Sequence, residues 1–310
     1  MKIISQAPTR ISLFGGSTDL PIFYEKYGGL VINLAINLRM KFEINIQDWE
    51  YDVPDFGENR FYNAFFNDFN FEYNQFRGFT DAPIRSGLGS SAAAGVALVA
   101  GLSKLKGQGL TKQQIAERAW TIEVNKIGLY GGKQDQYAAA FGGMNTFIFG
   151  KFGTGVYSWP NQIADKLAKN LLLFYTGESR KDGKIQERFK KLSKDKVLAL
   201  SNLRDLACQA TQPIKNTNIV EIAKLLRISW EEKRRSNNVS NSRIDNIYRL
   251  ALDSGALAGK LNGSGGGGFM TFLVELKNQS NVIKELEKID GVKHYDFSID
   301  YQGVETRILP

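Results

Sequence analysis

The amino-acid sequence predicts an α+β protein in which strands and helices are mixed along the chain. Residues 30–46 alternate as strands do, residues 92–106 form a long run rich in Ala, Val and Leu, and no regular β-α-β repeat is visible. A length of 310 residues suits two domains. The glycines at 150–155 are the predicted boundary, which gives domains at 1–155 and 156–310.

The first half is predicted to begin with strand and turn. The expected elements, in order, are a strand at 7–14 with a turn at 15–17, one or two strands within 30–46, a short helix and a strand within the aromatic-rich 48–76, helices at 92–106, 111–127 and 134–141, and a strand at 144–149. The helix from Thr111 has a capping signal, because Gln114 follows three residues later.

The second half is predicted to contain a buried strand followed by long helices. The expected elements are a strand at 171–175, a polar loop at 176–183, helices at 185–211, 219–236 and 244–251, a strand at 269–275, and a final helix and strand.

Scarce residue types exclude several kinds of chemistry. With one histidine (His294) and one cysteine (Cys208), the chain has too few ligands for a zinc site of the Cys/His type. Any acid–base group is therefore expected to be a carboxylate, Lys or Tyr. A single cysteine forms no internal disulfide, which predicts a cytoplasmic protein. Residues 1–8 show no signal peptide, and no apolar run reaches the about 18 residues of a membrane helix.

The net charge of +8, from 40 Lys and Arg against 32 Asp and Glu, is compatible with nucleic acid or with small anionic substrates. The positive residues are dispersed, and the densest run, at 181–196, is interleaved with acidic residues. We therefore interpret that run as a solvated helix face and predict neither a nucleic-acid partner nor a membrane. The sequence carries no signal for an oligomeric state.

The most informative segment is Gly-Leu-Gly-Ser-Ser at 87–91, which opens an apolar helix. Glycines allow close approach of a ligand, and the helix start directs free amides and a positive dipole end toward an anion. The alternative is a helix start where small residues merely pack closely. Residues 87–92 match the dinucleotide-binding fingerprint, but the acidic residue that this fingerprint needs about 20 positions later is missing. Residues 263–268 match it too, but they precede a strand instead of a helix. The chain has no Walker motif.

Three motifs in order make the chain similar to the GHMP family of small-molecule kinases along nearly its whole length. They are Ala7-Pro-Thr-Arg-Ile-Ser-Leu-Phe-Gly-Gly-Ser-Thr-Asp19, Pro83 with Gly87-Leu-Gly-Ser-Ser-Ala-Ala93, and Asn262-Gly-Ser-Gly-Gly-Gly-Gly268. The resemblance implies ATP and Mg²⁺, an N-terminal domain like that of certain ribosomal proteins, and a ferredoxin-like C-terminal domain. Residues 14–21, 27–29, 132–143 and 174–180 resemble the branch that phosphorylates heptose 7-phosphate at its anomeric oxygen; a fucose-kinase branch shares several of them.

The resemblance also implies roles for particular residues. The cofactor loop would comprise Gly87, Leu88, Gly89, Ser90, Ser91 and Ala92, and the magnesium ligands would be Ser91 and Glu123. Asp135 would be the base that takes the acceptor proton, with Lys133 and Arg10 keeping it ionised. The acceptor would meet Gly16, Thr18, Asp19 and Gly265, and Arg180 with Lys181 would hold a substrate phosphate.

Other functions stay open at this point. A kinase of the fucokinase, galactokinase or mevalonate type, acting on an unphosphorylated acceptor, would use the same motifs. A non-catalytic, basic RNA-binding protein with the same N-terminal fold would be expected to lack Glu123 or Asp135, and both are present. A dinucleotide oxidoreductase is disfavoured by the missing acidic residue.

Overall fold

The computed structural model describes residues 2–45, 60–71, 76–179, 192–237 and 239–309. Their helices and strands are β1 (Lys2–Phe14), α1 (Pro21–Tyr27), β2 (Gly29–Asn45), α2 (Arg60–Asp68), β3 (Phe76–Thr80), α3 (Ser90–Leu105), α4 (Lys112–Thr121), α5 (Gln134–Phe141), β4 (Met144–Gly150), β5 (Gly153–Ser158), α6 (Asn161–Ala168), β6 (Leu171–Tyr175), α7 (Lys194–Lys215), α8 (Ile219–Asn237), α9 (Ser242–Asp253), β7 (Ala256–Leu261), β8 (Phe269–Val274), α10 (Gln279–Leu286), β9 (Lys293–Tyr295) and β10 (Glu305–Leu309).

The first sheet is antiparallel and carries most of the N-terminal half. Its strand order is β10-β1-β2-β4-β5, and β3 pairs with the far end of β2. The helix α3 packs on β1 and β2, because nearly all of its side chains are small or apolar and buried. The pairing of β1 with β2 shifts register between Pro8 and Thr9, immediately before Arg10. Such irregularities re-aim side chains, and here Arg10 reaches the loop that precedes α3, where it contacts the Gly87 carbonyl.

The second sheet is also antiparallel, in the order β7-β8-β6-β9, and α8 and α9 pack against β7. The predicted α+β class is confirmed, since both sheets combine with helices without β-α-β repeats. The division of the chain at residue 155 stays a proposal. The strand β5 crosses that point, and β10 returns to pair with β1 in the first sheet.

Several predicted elements agree with the structure, and others differ from it. The bounds of α5 and β6 are those predicted, whereas α1, β5, α6 and β7 were not expected. The predicted helix at 111–127 is α4 followed by a wider, π-helical turn at Ile122–Ile127. Parts of the predictions for 48–76, 176–183 and 185–211 lie outside the described residues. Within the described ranges, we find no helix with the length and hydrophobicity needed to span a bilayer.

Candidate active site

A cavity of about 510 Å³ lies where the three glycine-containing motifs meet. Each motif contributes to its wall: Arg10, Gly16 and Asp19 come from the first, residues 85–92 apart from Leu88 from the second, and Gly263 and Ser264 from the third. Glu123, Gln134 and Asp135 complete the polar part of the wall. The cavity therefore collects residues that are far apart in the sequence.

The N-terminus of α3 faces this cavity. Gly89 precedes the helix with a φ of 78°, and no side chain caps the first turn. The amides of Ser90, Ser91 and Ala92 have no partner inside the helix, as in any α-helix start. The Ser90 hydroxyl is buried and has no hydrogen-bond partner among the described residues. Free amides, a free hydroxyl and the helix dipole together favour an anion such as a phosphate group.

Asp135 and Arg10 form a close ion pair beside the start of α3. Arg10 Nη2 lies 2.6 Å and Nε 2.7 Å from Asp135 Oδ1, and Nη1 donates to the Gly87 carbonyl at 2.7 Å. The Asp135 side chain is 28% exposed, whereas that of Arg10 is only 4% exposed. A side chain on Gly89 would lie 3.1 Å from Asp135 Oδ2, so the glycine lets this carboxylate approach the start of α3. The pairing of Asp135 with Arg10 agrees with the prediction.

Glu123 is a buried carboxylate that is only half satisfied. Its Oε2 accepts a hydrogen bond from Gln136 Nε2 at 3.0 Å, while Oε1 has no partner in the described part of the chain. Burial raises the pKa of Glu123 to about 8, and the charge of Asp135 contributes in the same direction. The π-helical turn places this residue, as such turns often do at functional sites.

Asp19 is held at the start of α5. Its carboxylate accepts hydrogen bonds from the Gln134 amide at 2.9 Å, from Gln134 Nε2 at 3.0 Å and from the Ser17 amide at 3.1 Å. Burial nevertheless raises the pKa of Asp19 to about 6. A Cβ on Gly132 would fall 1.9 Å from Asp19 Oδ2, so only glycine leaves room for this carboxylate. A sugar contact by Asp19 stays a prediction.

The second and third motifs touch through their backbones. Gly263 has a φ of 70°, and a Cβ there would lie 2.7 Å from the Gly87 Cα. The Phe269 amide donates to the Ser86 carbonyl at 2.8 Å, which fastens the start of β8 to the same loop. The glycines of the third motif therefore allow two loops to pack against each other, rather than forming a second dinucleotide fingerprint.

Three predicted site residues lie away from the cavity in the structure. The Thr18 hydroxyl donates to the carbonyls of Gly15 at 2.7 Å and Leu30 at 3.0 Å, so it fixes the turn rather than facing the cavity. Leu88 is fully buried in the hydrophobic core. Gly265 lies against Val239. Each of these three positions is absent from the cavity wall.

Lys133 differs from its predicted pairing. Its ammonium lies 2.7 Å from Glu117 Oε2 and 4.5 Å from the centre of the Trp120 ring, instead of contacting Asp135. Glu117 also accepts a hydrogen bond from the Tyr137 hydroxyl. A neighbouring carboxylate and an aromatic face thus attract Lys133 away from the cavity, and Arg10 is the ion-pair partner of Asp135 among the described residues. Arg180 and Lys181 lie outside the described residues.

The sequence interpretation missed two site residues that the structure reveals. Gln134 binds both oxygens of Asp19 and accepts a hydrogen bond from the Ser12 hydroxyl at 2.9 Å. Lys233 of α8 is buried yet lines the cavity. The helical spacing offered a signal, because Leu226 and Trp230 are apolar at seven and three residues before Lys233. Lys233 therefore belongs to the buried face of α8.

Comparison with known proteins decides the family. The models of the GHMP kinases N terminal domain and the GHMP kinases C terminal domain match residues 60–143 and 210–291. A D-glycero-alpha-D-manno-heptose 7-phosphate kinase of Campylobacter jejuni is 33% identical, with 99% of each chain covered. The chain belongs to the GHMP kinase family. It is thus a phosphotransferase that uses ATP and has an alcohol group as acceptor.

Other proteins similar to this GHMP kinase are also small-molecule kinases by name. A mevalonate kinase of Thermococcus gammatolerans is 27% identical, over 91% of this chain and 92% of its own length. A solved D-glycero-D-manno-heptose 1-phosphate kinase from Bacteroides thetaiotaomicron has a TM-score of 0.78 at 24% identity, with 99% of both chains covered. A solved structure of a Lactococcus lactis galactokinase with galactose has a TM-score of 0.76 at 16% identity, with 99% of this chain and 95% of the galactokinase covered. These last two show the shared fold.

Proposed function

We propose that this GHMP kinase transfers the terminal phosphoryl group of ATP to the anomeric hydroxyl of D-glycero-D-manno-heptose 7-phosphate. The observation that carries this choice is the full-length similarity to the Campylobacter kinase whose name states that substrate. The cavity provides a suitable setting, because it combines an uncapped helix start with a carboxylate paired to an arginine.

In the proposed mechanism, the α3 start holds the phosphates of ATP, and Asp135 faces the acceptor. The acceptor oxygen forms a bond to the terminal phosphorus, while the bond from that phosphorus to the bridging oxygen breaks and its electron pair leaves with ADP. The acceptor proton moves to the Asp135 carboxylate. Arg10 pairs with the Asp135 carboxylate and thereby orients it toward the acceptor. Positioning and charge stabilisation supply most of the rate enhancement in such transfers.

The residues near the α3 start fit a magnesium ion. Ser91 and Glu123 line the same cavity, and Glu123 Oε1, which has no hydrogen-bond partner among the described residues, offers the hard oxygen that Mg²⁺ prefers. The described residues contain no cluster of three or more His, Cys, Asp or Glu side chains. That suits Mg²⁺, which usually takes one or two carboxylates together with substrate phosphates and water. When bound, the ion would neutralise charge on the nucleotide phosphates.

Replacing Glu123 with Gln is expected to separate stability from activity. The neutral side chain removes a buried, half-satisfied carboxylate, so the free energy of unfolding should be unchanged or higher by about 1 kcal/mol. Turnover should fall, and the Mg²⁺ concentration for half-maximal rate should rise by about tenfold or more. Thermal unfolding and magnesium titrations of the rate measure these effects. A variant with wild-type magnesium dependence would remove Glu123 from the metal site.

Recognition of a phosphate already on the sugar needs a cation away from the reacting group. Arg180 stays our proposed ligand for that phosphate, together with Lys181. A charge-assisted hydrogen bond from an arginine to a phosphate is worth roughly 1.5–3 kcal/mol. The substrate phosphate should therefore raise kcat/KM by about 10- to 150-fold over the same sugar without it.

The substrate proposal is tested with a panel of acceptors. ADP release is measured with heptose 7-phosphate, the free heptose, galactose, fucose and mevalonate at equal concentrations. We expect the heptose phosphate to have the highest kcat/KM, by the factor given above over the free heptose. A higher kcat/KM for a free sugar would contradict the heptose-phosphate assignment and favour the galactokinase or fucokinase type instead.

A further inference from the structure

Lys233 is a buried cation of the cavity wall that has no role in the mechanism proposed above. It lies in the last part of α8 and is 8% exposed. Its ammonium donates to the carbonyls of Gly263 at 2.6 Å and Leu261 at 3.3 Å, and it forms no ion pair with any carboxylate of the described residues. An ammonium group has three N–H donors, so one remains for the cavity that Lys233 lines.

The contacts of Lys233 place it near the reacting groups. It binds the carbonyl of Gly263, and Gly263 packs directly on Gly87. The Gly87 carbonyl in turn receives a hydrogen bond from Arg10, which holds Asp135. Arg10 and Lys233 thus bind the carbonyls of Gly87 and Gly263, two glycines that are in contact. We call this contact the junction between the second and third motifs.

The charge balance of this junction favours an anion. Arg10, Lys233 and the buried Lys260 approach it from β1, α8 and β7, and Asp135 is the carboxylate whose charge reaches Lys233. Burial and, to a smaller extent, the positive charge of Arg10 lower the pKa of Lys233 to about 8, while the charge of Asp135 opposes this shift. A nearby phosphoryl group would stabilise the charged ammonium. The hydroxyls of Ser86 and Ser264, both on the cavity wall, also lack partners among the described residues.

We propose that Lys233 donates its third N–H to the phosphoryl group while that group moves from ATP to the acceptor oxygen. The bonds that form and break are those given above, and Lys233 stays protonated throughout. Lys233 contacts the phosphoryl group that is transferred. Neither ADP nor the free acceptor contains that group. This inference rests on the proposed phosphoryl transfer at Asp135 and is independent of which sugar is the acceptor.

Two variants of Lys233 separate its charge from its structural hydrogen bonds. Lys233→Gln keeps N–H donors for the neighbouring carbonyls but removes the charge, whereas Lys233→Arg keeps both. Lys112→Gln is the matched control, because the Lys112 ammonium also donates to two backbone carbonyls, those of Phe141 and Gln302, and Lys112 does not line the cavity. Thermal unfolding of all three reports any structural effect.

The test compares nucleotide binding and turnover. With Mg²⁺ and no acceptor, calorimetry measures affinity for ADP and for a non-hydrolysable ATP analogue. Lys233→Gln should lower the affinity for the ATP analogue by about tenfold and leave the affinity for ADP within about twofold of wild type. Its kcat should fall by about 100- to 1000-fold. Lys233→Arg should recover at least about tenfold of that loss in kcat.

Two outcomes would overturn the proposal for Lys233. One is a Lys233→Gln variant with a lower Tm whose affinities for ADP and the analogue fall equally; Lys233 would then only support the loops. The other is a kcat within about fivefold of wild type. The binding comparison contains no sugar, so a wrong heptose assignment would leave its result intact.

Discussion

Replacing Asp135 with Asn is expected to lower kcat by about 100- to 10,000-fold, the usual contribution of a positioned general base. Asn keeps the size of the side chain and still accepts a hydrogen bond from Arg10, but it takes up no proton. The affinity for ATP should be nearly unchanged, because the α3 start and not Asp135 holds the nucleotide in the proposed mechanism. Steady-state rates and nucleotide titrations measure the two quantities.

Asp245→Asn provides a matched control for this substitution. Asp245 also lies in the first turn of a helix, and its Oδ1 is 2.9 Å from the Arg234 guanidinium, but it is outside the cavity. We expect wild-type turnover in this variant. An Asp135→Asn enzyme within about threefold of wild type would exclude Asp135 as the base.

Replacing Arg10 with Met should lower kcat by about 100- to 1000-fold through two losses. The transferred phosphoryl group loses a nearby positive charge, and Asp135 loses the partner that orients it. Because both residues then act on the same step, the effects should not add. The double variant Arg10→Met with Asp135→Asn should be within about tenfold of the slower single variant.

Arg39→Met serves as the control for Arg10. Arg39 also extends from a central strand and pairs with two carboxylates, Asp300 at 2.5 Å and Glu305 at 2.8 Å, away from the cavity. That variant should lose stability and keep kcat. Additive losses in the Arg10 and Asp135 double variant would show that the two residues act independently, against the proposed mechanism.

The parts of the fold with strong local signals could be predicted from the sequence. The bounds of α5 were correct because paired glycines at 142–143 end it, and those of β6 because a compact apolar run defines it. The strand β5 was missed because it is an exposed edge strand that begins with glycine and lacks alternation. The strand β7 is built largely of small residues, so pairing with β8 decides its structure.

The site was predictable as a set of motifs but not in its individual contacts. The sequence indicated that Asp135, Glu123 and the loop at 87–92 belong together, and the structure places all but Leu88 on one cavity wall. The sequence could not show that the Thr18 hydroxyl donates to a backbone carbonyl, or that Lys133 forms an ion pair with Glu117. Such choices depend on neighbours contributed by distant segments. The same holds for Lys233, whose place in the cavity wall depends on where α8 meets the third motif.

Phosphorus NMR of the reaction product tests the proposed function most directly. The kinase is incubated with ATP, Mg²⁺ and heptose 7-phosphate, and the coupling of each product phosphorus to the sugar protons is recorded. We expect one new phosphorus signal coupled to the anomeric proton, beside the original signal of the 7-phosphate. A new phosphorus coupled to a proton on any other carbon, or no new sugar phosphate at all, would contradict it.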